Sequence, residues 1–388
     1  MSKTTNNIFE IEGKTPLQYA ELFIDLYTKK TPAPELSIKQ IGRLGGFTYP
    51  QGIALRGIQE VYKRNKNPEY NKYIIEWLDS TTNEDGIPYH EKSGWISMDS
   101  LDFRQPGNLL FDLYKETQNK KYLNGLDYLF GGMKDFSRTA YGTFFHSLVP
   151  ERHGHTWLDS LYMSGPGCVK YAVLRDDEEL LDMVMDMPVT MWEHMRDEET
   201  GLLRHAWDTT KKAEWADKET GLAGFIWDRA MGWYSAAITE MYEAAPKDHK
   251  TIPKIREIIK ELFANLIKYQ TKEGRWYQLV DKVDDPRNWV DNSGTLLILY
   301  AMAKAVNNGI LGEEYVENIM RGYKDVIVNS TVITDDTFDI LEICEGTCVG
   351  ENVEYYYNRK QIVNEWHGVA GFLHMCAEID TMLKGLSE

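Results

Sequence analysis

The sequence predicts an all-α fold, an (α/α)6 barrel or six-hairpin toroid, on three observations. Apolar residues recur at helical spacing in about twelve segments, and strand-like alternation is nearly missing. Two kinds of helix alternate along the chain. Six glycines near the starts of the second kind recur at a loose interval.

The first helical segment runs from about Pro16 to Tyr27, which leaves residues 1–15 as an N-terminal extension. After a Gly-rich turn come Gly52 to Tyr62 and Glu69 to Ser80, then Gly107 to Thr117 and Lys120 to Lys134. Asp159 to Leu174, Glu178 to Met195, Arg229 to Ala244 and Thr251 to Tyr269 follow. Asn292 to Val306, Glu313 to Val328 and Gly368 to Leu383 complete the set. Thr251 to Tyr269 shows the amphipathic kind: Ile255, Ile258, Ile259, Leu262 and Leu266 line one face, and Lys254, Glu257, Lys260 and Glu261 the other, as in an outer helix. Asn292 to Val306 shows the second kind, running unbroken through Leu296, Leu297, Ile298, Leu299, Tyr300, Ala301, Met302 and Ala303, as in a helix buried all round.

The second kind begins at Tyr49-Pro-Gln-Gly52, Leu101-Asp-Phe-Arg-Gln-Pro-Gly107, Trp157-Leu-Asp-Ser-Leu-Tyr-Met-Ser-Gly165, Trp227-Asp-Arg-Ala-Met-Gly232, Trp289-Val-Asp-Asn-Ser-Gly294 and Trp366-His-Gly368. The intervals between these glycines are 55, 58, 67, 62 and 74 residues, so six inner and six outer helices are implied. Parallel inner helices would open all six N-termini on one face, and one pocket would collect the Trp, Asp, Arg and His residues that precede them. The segments leading there are the long ones: Asp85 to Ser100, Tyr141 to Thr156, Gly201 to Ile226, Asp281 to Asp291 and Thr331 to Glu365. Loops of that length in a compact domain are usually functional. No linker or low-complexity stretch divides residues 1–388, which read as a single catalytic domain.

At 43% hydrophobic and 12% aromatic residues the chain can bury a large core. A net charge of −17, from 43 basic and 60 acidic residues without a long single-sign block, disfavours nucleic acid, anionic membranes and long polyanions. A short acidic ligand held by local Arg, His and backbone donors remains compatible. No run reaches the ~18 apolar residues of a membrane span, and the N-terminus carries no signal-peptide core, so a cytoplasmic protein is expected. Cys168, Cys344, Cys348 and Cys376 are too few and scattered for a disulfide framework and read as reduced thiols. Cys344-x3-Cys348 and His153-Gly-His155 lack further ligands nearby, so neither metal nor cofactor is expected. Nothing in the sequence fixes an oligomeric state.

An aromatic pocket with carboxylates points to carbohydrate chemistry, because sugar faces stack on Trp and Tyr while hydroxyls need acids and amides. The candidate acids are Asp102, Asp159, Asp208, Asp228 and Asp291, and glycoside cleavage ordinarily uses two. Asp159 leads because Trp157, Tyr162, His153 and His155 accompany it; the alternative is a helix N-cap. Asp291, before Asn292 and Ser293, reads as a cap, and Asp228 as an ion-pair partner of Arg229. Asp102, His146 and His205 read equally as pocket residues or as loop residues. Arg229, between Trp227 and Trp233, is the leading cation for an acidic sugar, since a guanidinium grips a carboxylate through two hydrogen bonds; the alternative is a salt bridge to Asp228 or an outer-helix acid.

Trp157-Leu-Asp159-Ser-Leu-Tyr-Met163, His205-Ala-Trp-Asp208, Trp215-Ala-Asp217, Trp227-Asp-Arg229-Ala-Met-Gly-Trp233-Tyr234, Trp276-Tyr-Gln-Leu-Val-Asp281 and Cys344-Glu-Gly-Thr347, taken together and in order, resemble the unsaturated rhamnogalacturonyl hydrolases, glycoside hydrolase family 105. The resemblance spans roughly Gly46 to the C-terminus and implies the same (α/α)6 barrel. It also implies a substrate made by a pectin lyase, a short acidic oligosaccharide whose non-reducing uronate carries a C4=C5 double bond. That bond is an enol ether. Protonation at C4 and water addition at C5 give a hemiketal that opens and releases the next sugar. One acid then suffices, donating to C4 and afterwards taking a proton from water.

Matched position by position, the resemblance implies Asp159 as that acid and base. It implies Asp102 as a second pocket acid that holds hydroxyls and raises the Asp159 pKa. His146, Trp157, Met163, His205, Trp227, Arg229 and Trp233 are implied to bind substrate. The chain departs from the pattern at Asp228, where a small residue is expected, and at Met231, where an amide is expected. The alternatives are an unsaturated glucuronyl hydrolase, a non-catalytic sugar-binding protein, or an inverting glycosidase with a second carboxylate roughly 6.5–9.5 Å from Asp159.

Overall fold

The computed structural model describes residues 10–33, 46–90, 94–96 and 98–387. Residues 1–9 of the expected extension, and residues 91–93 and 97 of the segment before Ser100, lie outside the described residues. Among the described residues, twelve helices of ten or more residues follow one another. They are α1 (Pro16–Lys30), α2 (Tyr49–Asn65), α3 (Pro68–Thr81), α4 (Asn108–Thr117), α5 (Lys120–Phe130) and α6 (Leu158–Arg175), then α7 (Glu178–Met195), α8 (Asp228–Ala244), α9 (Ile252–Leu266), α10 (Asn292–Asn307), α11 (Val316–Asn329) and α12 (Trp366–Gly385). None of the described helices is long and apolar enough to cross a membrane.

The even-numbered helices form a closed inner ring. α2 packs on α12 and on the 3-10 helix Leu101–Gly107 that runs into α4; that turn packs on α6, α6 on α8, α8 on α10, and α10 on α12. Each odd-numbered helix covers the ring from outside, and α1 does so by packing on α12. The sixth hairpin is therefore assembled from the first and last helices. In α10 every residue from Asn292 to Ala305 is buried, whereas α9 buries only Ile252, Ile255, Ile258, Ile259, Leu262, Phe263 and Leu266. Four of the six repeating glycines, Gly52, Gly165, Gly232 and Gly294, stand where ring elements touch. A Cβ at Gly232 would lie 2.8 Å from the Leu297 Cβ of α10, and one at Gly52 would lie 2.6 Å from the Pro106 Cγ, so a side chain at either position would push the ring apart.

Helix ends differ from the sequence expectation where local chemistry intervenes. Gly131 and Gly132 stop α5 at Phe130, and Glu313–Tyr315 forms a 3-10 turn before α11. The long lead-in segments are tied down by short antiparallel pairs, which strand periodicity could not reveal at two or three residues each. Two matter for the site: β1 (His155–Trp157) pairs with β2 (Ala206–Asp208), and β3 (Ile343–Cys344) with β4 (Gln361–Ile362).

The ring interior holds a buried polar layer. Arg56 of α2 places Nη2 2.6 Å from Glu240 Oε2 of α8 and donates through Nη1 to the Tyr162 hydroxyl at 3.1 Å. The Tyr300 hydroxyl donates to Glu240 Oε1 at 3.1 Å. Burial pushes the Glu240 carboxyl up, but Arg56, then Lys170, His374 and Lys304, hold it down at about 2. Tyr162 stacks on Trp233 at 4.7 Å, which links this layer to the pocket above it.

Candidate active site

Asp159 is the second residue of α6 and is placed by the β1–β2 pair. The register sets Trp157 opposite Ala206 and His155 opposite Asp208, and the Leu158 N–H donates to the His205 carbonyl at 3.1 Å. This lays the His205 imidazole across the start of α6, with Nε2 3.4 Å from Asp159 Oδ2. The N-cap position belongs to Trp157, whose N–H donates to Ser160 Oγ at 3.0 Å, so Asp159 is not the cap. His205 is fully buried, its Nδ1 lies 3.1 Å from the Tyr356 hydroxyl, and its ring is 4.7 Å from that of Trp227.

Asp102 comes from the 3-10 helix preceding α4, whose N-cap Ser100 accepts the Asp102 N–H at 3.3 Å. Its Oδ1 is 3.9 Å from His146 Nε2, and His146 Nδ1 is 3.2 Å from Ser160 Oγ. His146 stacks on Trp157 with centroids 4.1 Å apart and an interplanar angle of 10°. Burial drives the His146 pKa down to about 3, so the ring is neutral. The Asp102 side chain is 28% exposed against 13% for Asp159, which makes Asp102 the wetter carboxylate and Asp159 the one set into the wall.

The expectation that Asp102 raises the Asp159 pKa needs correction. Burial does push it up, but the contact with His205 outweighs burial and holds Asp159 below the usual carboxylate range. The neighbouring His205 imidazole, rather than a raising effect of a second carboxylate, sets the direction of the shift.

Three pocket residues were not singled out from the sequence. The Tyr49 hydroxyl at the start of α2 is 2.8 Å from His367 Nε2 at the start of α12. His367 Nδ1 is 2.6 Å from Glu365 Oε2, and that same oxygen accepts the His367 N–H at 2.7 Å. An Nδ1–H held by the carboxylate leaves Nε2 to accept the phenol proton. Burial first, and then the charge of Asp102, raises the Tyr49 pKa, so the phenol stays protonated at the edge of the acid pair. Both residues belong to the repeated helix-start motifs, and that repetition was the available signal.

Arg229, at the start of α8, is fully buried and makes no ion pair with Asp228 or with an outer-helix acid among the described residues. Its Nη1 donates to the Cys344 carbonyl at 2.6 Å and to Ser293 Oγ at 3.1 Å, its Nη2 donates to the Glu345 carbonyl at 2.8 Å, and its guanidinium carbon lies 4.4 Å from the Trp227 ring centroid. Asp228 accepts the Arg229 N–H at 2.7 Å and lies against Gly294, where a Cβ would overlap its carboxyl group. Asp291 accepts the Ser293 N–H, the Ser293 hydroxyl and the Cys344 N–H at 2.8, 2.7 and 3.0 Å. Burial and the adjacent Asp291 raise the Asp228 pKa well above the carboxylate range, so the pair keeps a proton, on the partner with fewer donors. Asp291 thus caps α10, as its sequence context predicts, and also fixes the strand that grips Arg229.

Asp208 serves structure. Its two oxygens take N–H groups of Thr210, Lys212 and Ala213 between 2.7 and 2.8 Å and close a turn. Met163 lies buried one turn along α6 from Asp159. Trp157, Trp227 and Trp233 are 5%, 0% and 1% exposed, so they form walls backed by protein. All four cysteines are free, and among the described residues no group of three or more His, Cys, Asp or Glu is placed to hold a metal.

A family model described as Glycosyl Hydrolase Family 88 matches residues 24–383. The unsaturated rhamnogalacturonyl hydrolase YesR of Bacillus subtilis (strain 168) is 25% identical over 323 residues, covering 80% of this chain and 83% of that protein. The structure of a family 105 glycoside hydrolase from C. acetobutylicum ATCC 824 superposes with a TM-score of 0.86 at 29% identity, covering 94% of this chain and 99% of that one. The unsaturated glucuronyl hydrolase of Bacillus sp. GL1, at 12% identity and a TM-score of 0.69 over 94% of this chain and 96% of that one, shares the fold.

Proposed function

The chain belongs to Glycosyl Hydrolase Family 88 and is a glycoside hydrolase, and we propose that it removes the unsaturated galacturonyl residue from the non-reducing end of pectin-lyase products such as rhamnogalacturonan disaccharides. The coarser assignment, an unsaturated glycuronyl hydrolase, is common to the two Bacillus relatives. The choice of galacturonyl follows the relative named for it. A short unsaturated acidic oligosaccharide is the ligand in this reading.

The observation that carries the proposal is the setting of Asp159. It is a buried carboxyl in contact with the His205 imidazole, as expected where a single acid does both proton transfers. Held below the usual carboxylate range, Asp159 on its own is ionised near neutral pH. The substrate's own carboxylate, entering a dry pocket, opposes that charge and raises the Asp159 pKa. The acid then gives its proton to C4, and water adds at C5 and returns a proton to the carboxylate. The hemiketal opens and the next sugar leaves. Asp102, the more exposed acid, and His146 hold hydroxyls. Arg229, stacked on Trp227, lends its positive charge to the uronate from within the wall, and Met163, Trp157 and Trp233 shape the walls.

The test follows the ultraviolet absorbance of an unsaturated galacturonyl-rhamnose disaccharide. Wild type should remove the conjugated band, and Asp159→Asn should slow that by roughly 10²–10⁴-fold, the usual worth of a positioned acid–base group. Retention of the band by wild type while saturated oligosaccharides are cut would sink the hydration reading in favour of an inverting glycosidase. Loss of the band only from glucuronyl substrates would move the assignment to the glucuronyl hydrolases.

A further inference from the structure

We propose that Tyr356 is a positioning residue for the Asp159 chemistry: its hydroxyl donates to His205 Nδ1 and fixes that imidazole as the neutral Nε2–H tautomer, with the N–H turned toward Asp159. This deepens the hydration reading given above and rests on it.

Tyr356 sits in the helical turn Val353–Tyr357 of the long segment before α12, 151 residues along the chain from His205. Its ring is fully buried, with its centroid 5.4 Å from that of Phe225 and 6.2 Å from that of Trp227. Among the described residues its hydroxyl has two hydrogen-bonding partners, the Gly350 N–H at 3.0 Å and His205 Nδ1 at 3.1 Å. A backbone N–H can only donate, so Gly350 takes a lone pair of the phenol oxygen. Burial raises the phenol pKa and keeps its proton in place, and a buried O–H needs an acceptor. A bare His205 Nδ1 supplies it. An Nδ1–H, in the other tautomer or in the imidazolium, would aim two donors at one oxygen and strand the phenol proton. The imidazole proton therefore resides on Nε2, 3.4 Å from Asp159 Oδ2. Both atoms are buried, and neither makes a closer hydrogen bond among the described residues.

The pocket's other imidazoles show how the group at Nδ1 decides the tautomer. Ser160 Oγ accepts the Trp157 N–H at 3.0 Å and lies 3.2 Å from His146 Nδ1, so its proton turns to that nitrogen and leaves an Nε2–H on the side of Asp102. At His367 the carboxylate of Glu365 stands where the hydroxyl would be; it can only accept, and the tautomer is reversed. Asp102 and Asp159 are thus both faced by N–H donors, while Tyr49 faces a bare nitrogen. For Asp159 the consequence is directional. A donor at Oδ2 favours the carboxylate and leaves Oδ1 to carry the proton that goes to C4, and His205, with its Nε2 already protonated, does not compete for that proton.

The test is nitrogen-15 NMR of the histidine side chains in the free wild-type protein, with the His205 signals identified by their loss in His205→Gln. A protonated Nε2 and a bare Nδ1 are expected; a protonated Nδ1 overturns the proposal, whether or not any Tyr356 variant folds. Tyr356→Phe keeps the ring and removes the hydroxyl. His205 should then give the signals of a tautomer mixture, and kcat on the unsaturated disaccharide should fall roughly tenfold with KM within about twofold of wild type. The descending limb of the kcat/KM pH profile should move to higher pH, because a weaker donor at Oδ2 lets Asp159 hold its proton longer. An unchanged tautomer in Tyr356→Phe, or a loss of activity with the limb unmoved, would leave Tyr356 as packing and sink the idea. The spectrum needs no turnover, so absence of absorbance loss with wild type on any unsaturated substrate counts against the hydration reading while the tautomer is still decided.

Discussion

Replacing Arg56 by Met tests whether the charged layer inside the ring is held by mutual neutralisation. Arg56 and Glu240 meet at 2.6 Å with side chains 6% and 3% exposed, so water cannot take over for either. Removing one partner of such a pair costs about 3–5 kcal/mol, chiefly because the other is left charged and buried. Lys170, His374 and Lys304 still act on Glu240, and Tyr300 still donates to it, which places the expected loss near the lower bound, about 3 kcal/mol. Adding Glu240→Gln removes the stranded charge and should recover about 1–2 kcal/mol. Urea unfolding followed by tryptophan fluorescence reads both as shifts of midpoint at constant slope. The pH dependence has a definite sign. The Glu240 pKa is depressed to about 2, so its contribution is complete above the unfolded value of about 4.3 and is lost as pH falls toward 2. A cost below about 1 kcal/mol for Arg56→Met, or a double variant no more stable than the single one, would refute the reasoning.

Other perturbations probe the pocket itself. Because Asp159 is held below the carboxylate range in the free protein, kcat/KM should decline with rising pH from a lower pKa than kcat does; the same apparent pKa in both profiles would mean that substrate does not shift this group. Asp228 carries a raised pKa, so its folded form keeps a proton that the unfolded chain loses above about pH 4, and stability falls as pH rises; Asp228→Asn should gain on wild type between about pH 5 and 8 in thermal melts, and parallel pH profiles would contradict this. Gly294→Ala drives a methyl group into the Asp228 carboxyl and should cost about 1–3 kcal/mol, with less cost in an Asp228→Gly background; a cycle without coupling would show that the two do not touch. Tyr49→Phe removes the hydroxyl on His367 and should lower kcat/KM with little change in melting temperature; a large melting shift instead would make the contact structural.

The barrel was readable because its signals are local. Apolar runs such as Leu296 to Ala303 and striped faces such as Ile255 to Leu266 each announce their own environment, and the glycines at positions 52, 165, 232 and 294 mark ring contacts. Asp159 was singled out from its neighbours, and the structure sets it beside His205. The partners of each side chain were not. His205 reaches Asp159 through a pair of three-residue strands too short to show alternation. Tyr49 and His367 meet across a sequence separation of 318 residues. Asp208 stands in a motif that looks chemical, yet it closes a turn with Thr210, Lys212 and Ala213, and the polar run after it was the missed signal. Arg229 and Asp228, adjacent in sequence, diverge in space because the Cys344 and Glu345 carbonyls claim the guanidinium.

A ring joined at one seam differs from an open stack of hairpins, which can lose a terminal unit and keep the remainder. Here α12 must dock between α2 and α10 while α1 backs it, and those partners lie at opposite ends of the chain. Joining α12 to α1 and α2 closes a longer loop than any other contact in the ring, so it carries the largest closure cost. The Tyr49–His367 contact lies on this seam. Activity should therefore appear last in refolding and vanish first on heating, at a temperature where most helices still give their full circular dichroism signal.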